Sequence, residues 1–471
     1  MKTLLAPLLA PLPALLLLLA PAVALAVPIP LLAFDAAGFV GQAERGPLGE
    51  AVLVTSFEDF ADRFGLGNEG LANPYQAPAA AGFFANGGAR LWVVRTATAD
   101  PEDLVGTGLA ALAGVDEVAA VAIPGATDLA VQEALIAHAE TAGDRMAILD
   151  PATLDDLEAI QAQRAALESA AGHAALYFPW LEVAPFGTAL LVPPSGWVAG
   201  VYARTDPPDA PIGELAQVIG LSYAITQEEQ ELLNPLGINA IREFRAGDFR
   251  VWGARTVSSD PEWRYVPVRR IALNLRESLH AGTHWAVFEP NDENLWAQLR
   301  ADVGDFLHAR WQEGWFQGAT ADDAYFVRCD LTTMTPADLE AGRTVILVGF
   351  APLRPAEFLI LRIEHERAVL GVDPDVPGAP PVLLGAAPNP FNPRTGIAFE
   401  LPRPAVVSLR IHDLAGRLVR TLAAGESLPA GRHERAWDGR DARGNGLSSG
   451  VYLIELRAGG TTVSRRMTLV R

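Results

Sequence analysis

The chain has 471 residues, half of them hydrophobic and a fifth charged, a globular composition with material for several cores rather than a disordered one. Its 56 acidic residues against 36 basic ones give a formal net charge of −20, which argues against a nucleic-acid binder, since such a protein uses a basic face to displace phosphate counterions. One cysteine, Cys329, excludes an internal disulfide and a thiolate metal cluster, and its alternating context Ala324–Asp330 reads as a strand with a buried, inert thiol.

In chain order, Lys2 precedes an apolar run from Leu4 to Ala26 that closes on Ala24-Leu25-Ala26, the outline of a secretory signal peptide over residues 1–26. Pro7, Pro11, Pro13 and Pro21 would each interrupt the ladder of a permanent membrane helix. In the next region, 27–114, Ala51–Thr55 reads as a strand. Ser56 then caps a helix whose Phe57, Phe60, Ala61 and Phe64 form one apolar stripe. Gln76–Asn86 reads as a helix ended by Gly87-Gly88, and Arg90–Arg95 as a buried strand.

Residues 115–262 alternate. Strands are expected at Val118–Ile123, Arg145–Leu149 and Ala174–Tyr177, and helices over Leu129–Ala142 and Asp155–Ala171. That order predicts an α/β layer on a largely parallel sheet. In 263–365, Val266–Leu275 leads into long helices near Glu293–Glu313, followed by strands at Ala324–Asp330, Thr344–Phe350 and Glu357–Glu364. A Pro/Gly/Val-rich linker spans 366–386. Beyond it, residues 387–471 carry short alternating strands between Asp438-Gly439, Asn445-Gly446 and Gly459-Gly460, a small all-β sandwich.

Motifs that could carry chemistry fall short of it. Gly65-Leu66-Gly67-Asn68-Glu69-Gly70 fits G-x-G-x-x-G but follows a helix, where a dinucleotide site needs a preceding strand. His280 and His284, with Glu277 and Glu289 nearby, have a spacing that suits a metal. No glutamate follows the first histidine, however, and Gly282 weakens the helix, so they read as surface or structural histidines. Ser195 lies in Pro193-Pro194-Ser195-Gly196 with nothing in sequence to place a histidine and an aspartate beside it. Glu228-Glu229 and Asp155-Asp156 are adjacent pairs and read as solvated faces. No catalytic residue, cofactor, metal or small-molecule substrate is expected.

Several stretches resemble the phage tail sheath family, including sheaths of contractile injection systems. The first block holds Gly38, Gly41, Arg45, Gly46 and Pro47. Gly82–Gly88 with Leu91–Arg95 is similar to the second, and Val192–Gly196 (Pro193, Pro194, Ser195, Gly196) with Val198–Asp206 to the most recognisable one. Asn234 and Pro235, then Trp252, Gly253 and Arg255, Trp263 in Ser259–Tyr265, Pro290 and Asn291, and finally Pro355, Glu357 and Phe358 follow collinearly to residue 364. Gly196 and Gly200 also read as tight backbone positions, and Trp252, Trp263, Trp285 and Trp296 as core fillers.

The resemblance implies a mixed α/β and α+β core: a domain of subtilisin-like topology without its protease triad, then a C-terminal sheath domain lining a tube. It implies a structural subunit that polymerises with its own copies around an inner tube protein, together with baseplate and tail-terminator proteins. Heterologous, non-closing contacts would extend the helix, and terminal arms would add strands to neighbouring sheets. Contraction would release a metastable state without nucleotide hydrolysis. Arg264, Arg269 and Arg270 cluster in an acidic chain and are expected to face an acidic tube or neighbour.

Residues 387–471 resemble the immunoglobulin-like domain of the flagellar hook-capping protein, through Ala387–Pro393, Ile411–Arg420, Trp437–Asp441 and Ser449–Tyr452. Related modules sit on exported proteins. Both ends thus point to export, whereas the sheath family assembles in the cytoplasm or virion. An exported surface or adhesion protein built on a sheath-derived core is the alternative reading. Cleavage after Ala26 would leave only Val27–Asp35 where the family has an extended arm, with Pro28 and Pro30 unable to donate to a ladder.

Overall fold

A computed structural model describes residues 29–67, 70–352, 358–366, 381–389, 391–413, 417–458 and 461–470. The signal-like segment 1–26, linker residues 367–380 and the motif positions Pro355 and Glu357 lie outside the described residues. The chain divides into two compact units, Met1–Arg367 and Ala368–Arg471.

The first unit opens with β1 (Ala36–Gln42), β2 (Ala51–Val54), α1 (Phe57–Phe64), α2 (Gln76–Ala85) and β3 (Arg90–Thr96). The Ser56 hydroxyl accepts from Asp59 N–H and so satisfies one of the free amides at the start of α1, while Phe60 and Phe64 are buried as the stripe requires. β4 (Val118–Ala122), α3 (Leu129–Ala142), β5 (Met146–Leu149), α4 (Leu157–Ala166) and β6 (Ala174–Phe178) alternate as expected. α4 is shorter than the predicted 155–171: Asp156 caps it, and Leu167 leaves it in an extended conformation to bury its side chain in the core.

The short strands β7 (Leu181–Val183) and β8 (Leu190–Val192) precede α5 (Ser195–Arg204); β9 (Gly213–Glu214), β10 (Val218–Leu221), α6 (Gln227–Leu233), β11 (Ile238–Arg245) and β12 (Asp248–Val251) follow. Nine strands form one sheet in the order β2-β3-β1-β4-β5-β6-β11-β12-β9. Its centre, β3 through β11, is parallel, and antiparallel pairs extend it at both ends.

Period-two geometry explains the continuous apolar runs of the central strands. Met146 and Ile148 enter the core on one face, with α2 and α5, and Ala147 and Leu149 enter the core on the other, with α3 and α4. Each fully buried Val, Leu or Ile contributes about 1.5–3 kcal/mol.

The remainder of this unit packs α7 (Val266–Thr283) and α8 (Glu293–Gln312) against a three-stranded antiparallel sheet, β13 (Tyr325–Arg328), β14 (Arg343–Phe350) and β15 (Leu359–Glu366). Pro267 sits in the first turn of α7, where its missing N–H costs nothing. Cys329 is buried, and burial pushes its thiol up to about 12. Residues 29–35 run along α7. Leu32 N–H donates to Ser278 Oγ (3.0 Å), Asn274 Nδ2 donates to Leu32 O (2.9 Å), and Ile29 lies over Gly282.

The second unit begins inside the predicted linker, with β16 (Val382–Ala387). β17 (Thr395–Leu401), β18 (Ala405–Asp413), β19 (Leu418–Leu428), β20 (Gly431–Trp437), β21 (Gly450–Ala458) and β22 (Thr461–Leu469) complete two sheets, β16-β17-β20 and β19-β18-β21-β22. Alternate residues from both, Ile397 and Phe399 from one and Leu409, Ile411 and Ile454 from the other, share one core with Trp437.

Candidate functional site

In a parallel sheet, ligands bind where strand C-termini meet at a reversal of strand order. Here β1 and β4 diverge in that way, and the chain's own side chains bridge the loops beyond them. Gln42 Oε1, at the end of β1, accepts from Asn73 N–H, and Asn73 Nδ2 donates to Pro124 O beyond β4. Asp150, just past β5, receives Gly125 N–H, Ser195 N–H and the Ser195 hydroxyl. Its carboxylate thus caps the start of α5, where the helix dipole favours a negative charge. Burial pushes its pKa up to about 6, against these three hydrogen bonds, which hold it down.

Ser195 is fully buried and its hydroxyl hydrogen goes to a carboxylate, not to an imidazole. That geometry holds a helix in place and does not make a nucleophile. Asp150 was not visible from the sequence. The available signal was a carboxylate immediately after a buried strand of a parallel sheet.

Most other motif residues are structural in the same sense. Gly196 lets α5 touch α2, since a Cβ there would lie 2.5 Å from the Ala79 backbone. Pro193 and Pro194 lead into α5. Arg45 donates to the carbonyls of Ala61 and Asp62 at the end of α1 and, with Gly46 (φ +105°) and Pro47, turns the chain under Phe64. Gly38 and Gly41 lie in the buried strand β1. Asn234 and Pro235 form a short 3-10 turn after α6. Gly253 passes close to Asn239, whose side chain bonds Arg255 N–H and O. Asn291, after Pro290, accepts from Trp296 Nε1 and Thr344 Oγ and donates to Arg343 O, tying α8 to β14. Phe358 stacks edge-on against Phe326. Trp296 is a core residue and Trp263 and Trp285 are half-buried, but Trp252 is 44% exposed and lies edge-on against exposed Phe244.

The three arginines expected to face outward divide. Arg269 and Arg270 are buried, which corrects the expectation. α7 is covered on both sides, so successive positions turn inward. The Arg269 guanidinium lies 3.5 Å from the Trp263 ring centroid. Arg270 donates to the carbonyls of Tyr202 and Thr205 and stacks near Phe34 and Tyr202. Burial lowers their pKa values to about 9 and about 10. Arg264 alone is exposed. It lines a cleft of about 300 Å³ with Arg164, Arg255, Thr256, Ser258 and Ser259, a positively charged recess in an acidic chain.

The glycine loop after α1 binds an anion, but the chain's own: Leu66 N–H and Gly67 N–H both donate to Glu44 Oε2. Among the described residues, the group with metal-ligand spacing is His280, His284 and His365. Sequence spacing supplied only the first two.

A mixed α/β unit followed by a separate all-β unit makes this a two-part chain. The model of the phage tail sheath protein central domain matches residues 97–257, that of the phage tail sheath C-terminal domain matches 258–366, and that of the FlgD Ig-like domain matches 391–461. The helical sheath of the anti-feeding prophage in its contracted state is 30% identical, with a TM-score of 0.60, over 71% of this chain and 94% of that one. A prophage major tail sheath protein of Pseudomonas aeruginosa is 28% identical over 183 residues, 36% of this chain and 45% of that relative, so the match spans less than half its length. The basal-body rod modification protein FlgD of Salmonella typhimurium is 41% identical over 80 residues, 16% of this chain and 34% of that protein. The chain belongs to the phage tail sheath family and carries a FlgD-type immunoglobulin-like domain at its C-terminus.

Proposed function

We propose that this chain is the structural subunit of a contractile sheath, polymerising helically around an inner tube and shortening to drive the tube through a membrane. The observation that carries this reading is the likeness along nearly the whole of a sheath subunit whose helical, contracted assembly is known. Two features support it. The sheet β13-β14-β15 ends, among the described residues, on two edges that a neighbour's arm can extend, each added main-chain hydrogen bond contributing about 1 kcal/mol. The Arg264 cleft offers a counter-charge for an acidic segment of a neighbour or tube. Baseplate and terminator proteins would cap the polymer.

Residues 115–262 would form the subtilisin-like domain, a non-enzymatic spacer whose buried Ser195 and Asp150 fix α5. Residues 29–35, docked along α7 of the same chain, stand where the family arm would reach a neighbour. Linkage would then fall to other edges.

The test is electron microscopy of purified chain with and without residues 1–26. Hollow striated tubes are expected. Monomers only, under conditions where related sheaths assemble, would overturn the reading. The apolar run ending at Ala24-Leu25-Ala26 favours a second reading, an exported surface protein on a sheath-derived core, and recovery of monomeric protein at the cell surface would support it.

A further inference from the structure

The assembly reading leaves one chemistry-bearing group unused. His280 lies in the last turn of α7 and His284 begins the 3-10 turn that follows, so the two share a face. β15 places His365 against them. One nitrogen of each ring lies within 4.8 Å of the other two, and ring centroids are 5.2–6.1 Å apart. His280 and His284 are exposed and His365 is buried, so an ion has an entry path from solvent and one anchored ligand below it.

The anchored ring has a hydrogen-bonded Nε2. Thr283 Oγ gives its hydrogen to Leu279 O at 2.6 Å and contacts His365 Nε2 at 2.7 Å. When Thr283 gives that hydrogen to Leu279 O it accepts from His365 Nε2, the tautomer that leaves the Nδ1 lone pair for an ion. A hydrogen bond to the non-ligating nitrogen is the support that metal-binding histidines use. Among the described residues no carboxylate joins the three rings as a ligand, and the charges of Arg276 and Asp116 act on His280 from outside the group. Zinc–imidazole bonds of about 2.0–2.1 Å require nitrogens roughly 3.3 Å apart, so binding would draw the two exposed rings toward His365.

We infer that His280, His284 and His365 form a three-histidine site for a borderline divalent ion of the zinc class, with a fourth position left to water or to a ligand from outside the chain. The ion would tie the end of α7 to β15, the last strand of the first unit. Such a staple stabilises the fold in proportion to ion occupancy and is removable by a chelator.

The experiment uses tag-free full-length chain stripped with EDTA, then titrated with Zn²⁺ by calorimetry and with Co²⁺ by visible absorption. One ion per chain, tetrahedral Co²⁺ bands and a raised melting temperature are expected. His280→Asn with His284→Asn, both at exposed positions, should abolish the bands and weaken Zn²⁺ binding at least 100-fold while leaving the melting temperature in EDTA unchanged. Should that double variant melt early in EDTA, His284→Asn alone serves, with at least 10-fold weaker binding expected. No stoichiometric binding to the wild type, or binding unaltered in a folded variant, would overturn the inference. Sheath assembly plays no part in these readouts.

Discussion

Ser195 and Asp150 are joined twice: the serine hydroxyl donates to Oδ2 at 2.8 Å and its backbone N–H to Oδ1 at 2.9 Å. One buried carboxylate therefore fixes both the side chain and the first free amide of α5, and Gly125 N–H adds the loop after β4. Ser195→Ala removes a buried hydrogen bond to a charged group, so a loss of about 2 kcal/mol is expected in urea unfolding of the isolated chain. Stability within about 0.5 kcal/mol of wild type would show that the hydroxyl does not hold the helix.

The same carboxylate predicts a pH dependence. Its folded pKa, near 6, lies above the ordinary aspartate value of about 4, so the folded state binds the proton more tightly. Its contribution is complete below pH 4 and is lost as pH rises through 6, by up to about 3 kcal/mol. His138, His173 and His365 act oppositely. Burial lowers each to about 4 from the usual 6.5, so stability is lost as pH falls between those values. The wild type should therefore weaken on acidification through this window. Asp150→Asn lacks the proton uptake that offsets the histidines, so it should weaken more steeply, and wild-type stability minus variant stability should rise by up to about 3 kcal/mol from pH 7 to pH 4. Parallel curves from pH 4 to 7 would count against the buried aspartate.

Close helix packing gives a paired prediction. A Cβ at Gly196 meets the Ala79 backbone at 2.5 Å, which neither helix can yield without shifting, so Gly196→Ala should cost about 1–3 kcal/mol. Gly304, in α8, faces open space, so Gly304→Ala should stabilise by about 0.5–1 kcal/mol. Equal effects at the two sites in thermal unfolding would contradict the α2–α5 contact.

The strands of the parallel sheet were legible because burial on both faces leaves unbroken apolar runs, as in Val118–Ala122. α4 was overextended because Leu167, Ala170 and Ala171 continue a helical pattern that the chain leaves only to bury Leu167. Arg269 and Arg270 were misplaced because charge alone does not report that Trp263, Phe34 and Tyr202 receive their guanidinium planes. Asp150 with Ser195, and His365 with His280, meet only through tertiary structure, and no spacing rule connects residues so far apart. Arg264 was visible as a surface charge, but its cleft partners Arg164 and Arg255 were not.

That division yields the sharpest test of the assembly reading. Arg264→Glu alters an exposed side chain, so the isolated chain should keep its stability within about 0.5 kcal/mol. If an acidic segment of a neighbour or tube occupies the cleft, the variant should fail to form tubes at low salt. Arg270→Glu places a carboxylate against the carbonyls of Tyr202 and Thr205 in the core, an uncompensated buried charge expected to cost at least 3–5 kcal/mol. It should lose assembly by losing the fold, with an early unfolding transition by circular dichroism. A folded Arg264→Glu chain that still forms tubes would remove the cleft from the interface, and a stable Arg270→Glu chain would contradict the burial of that side chain.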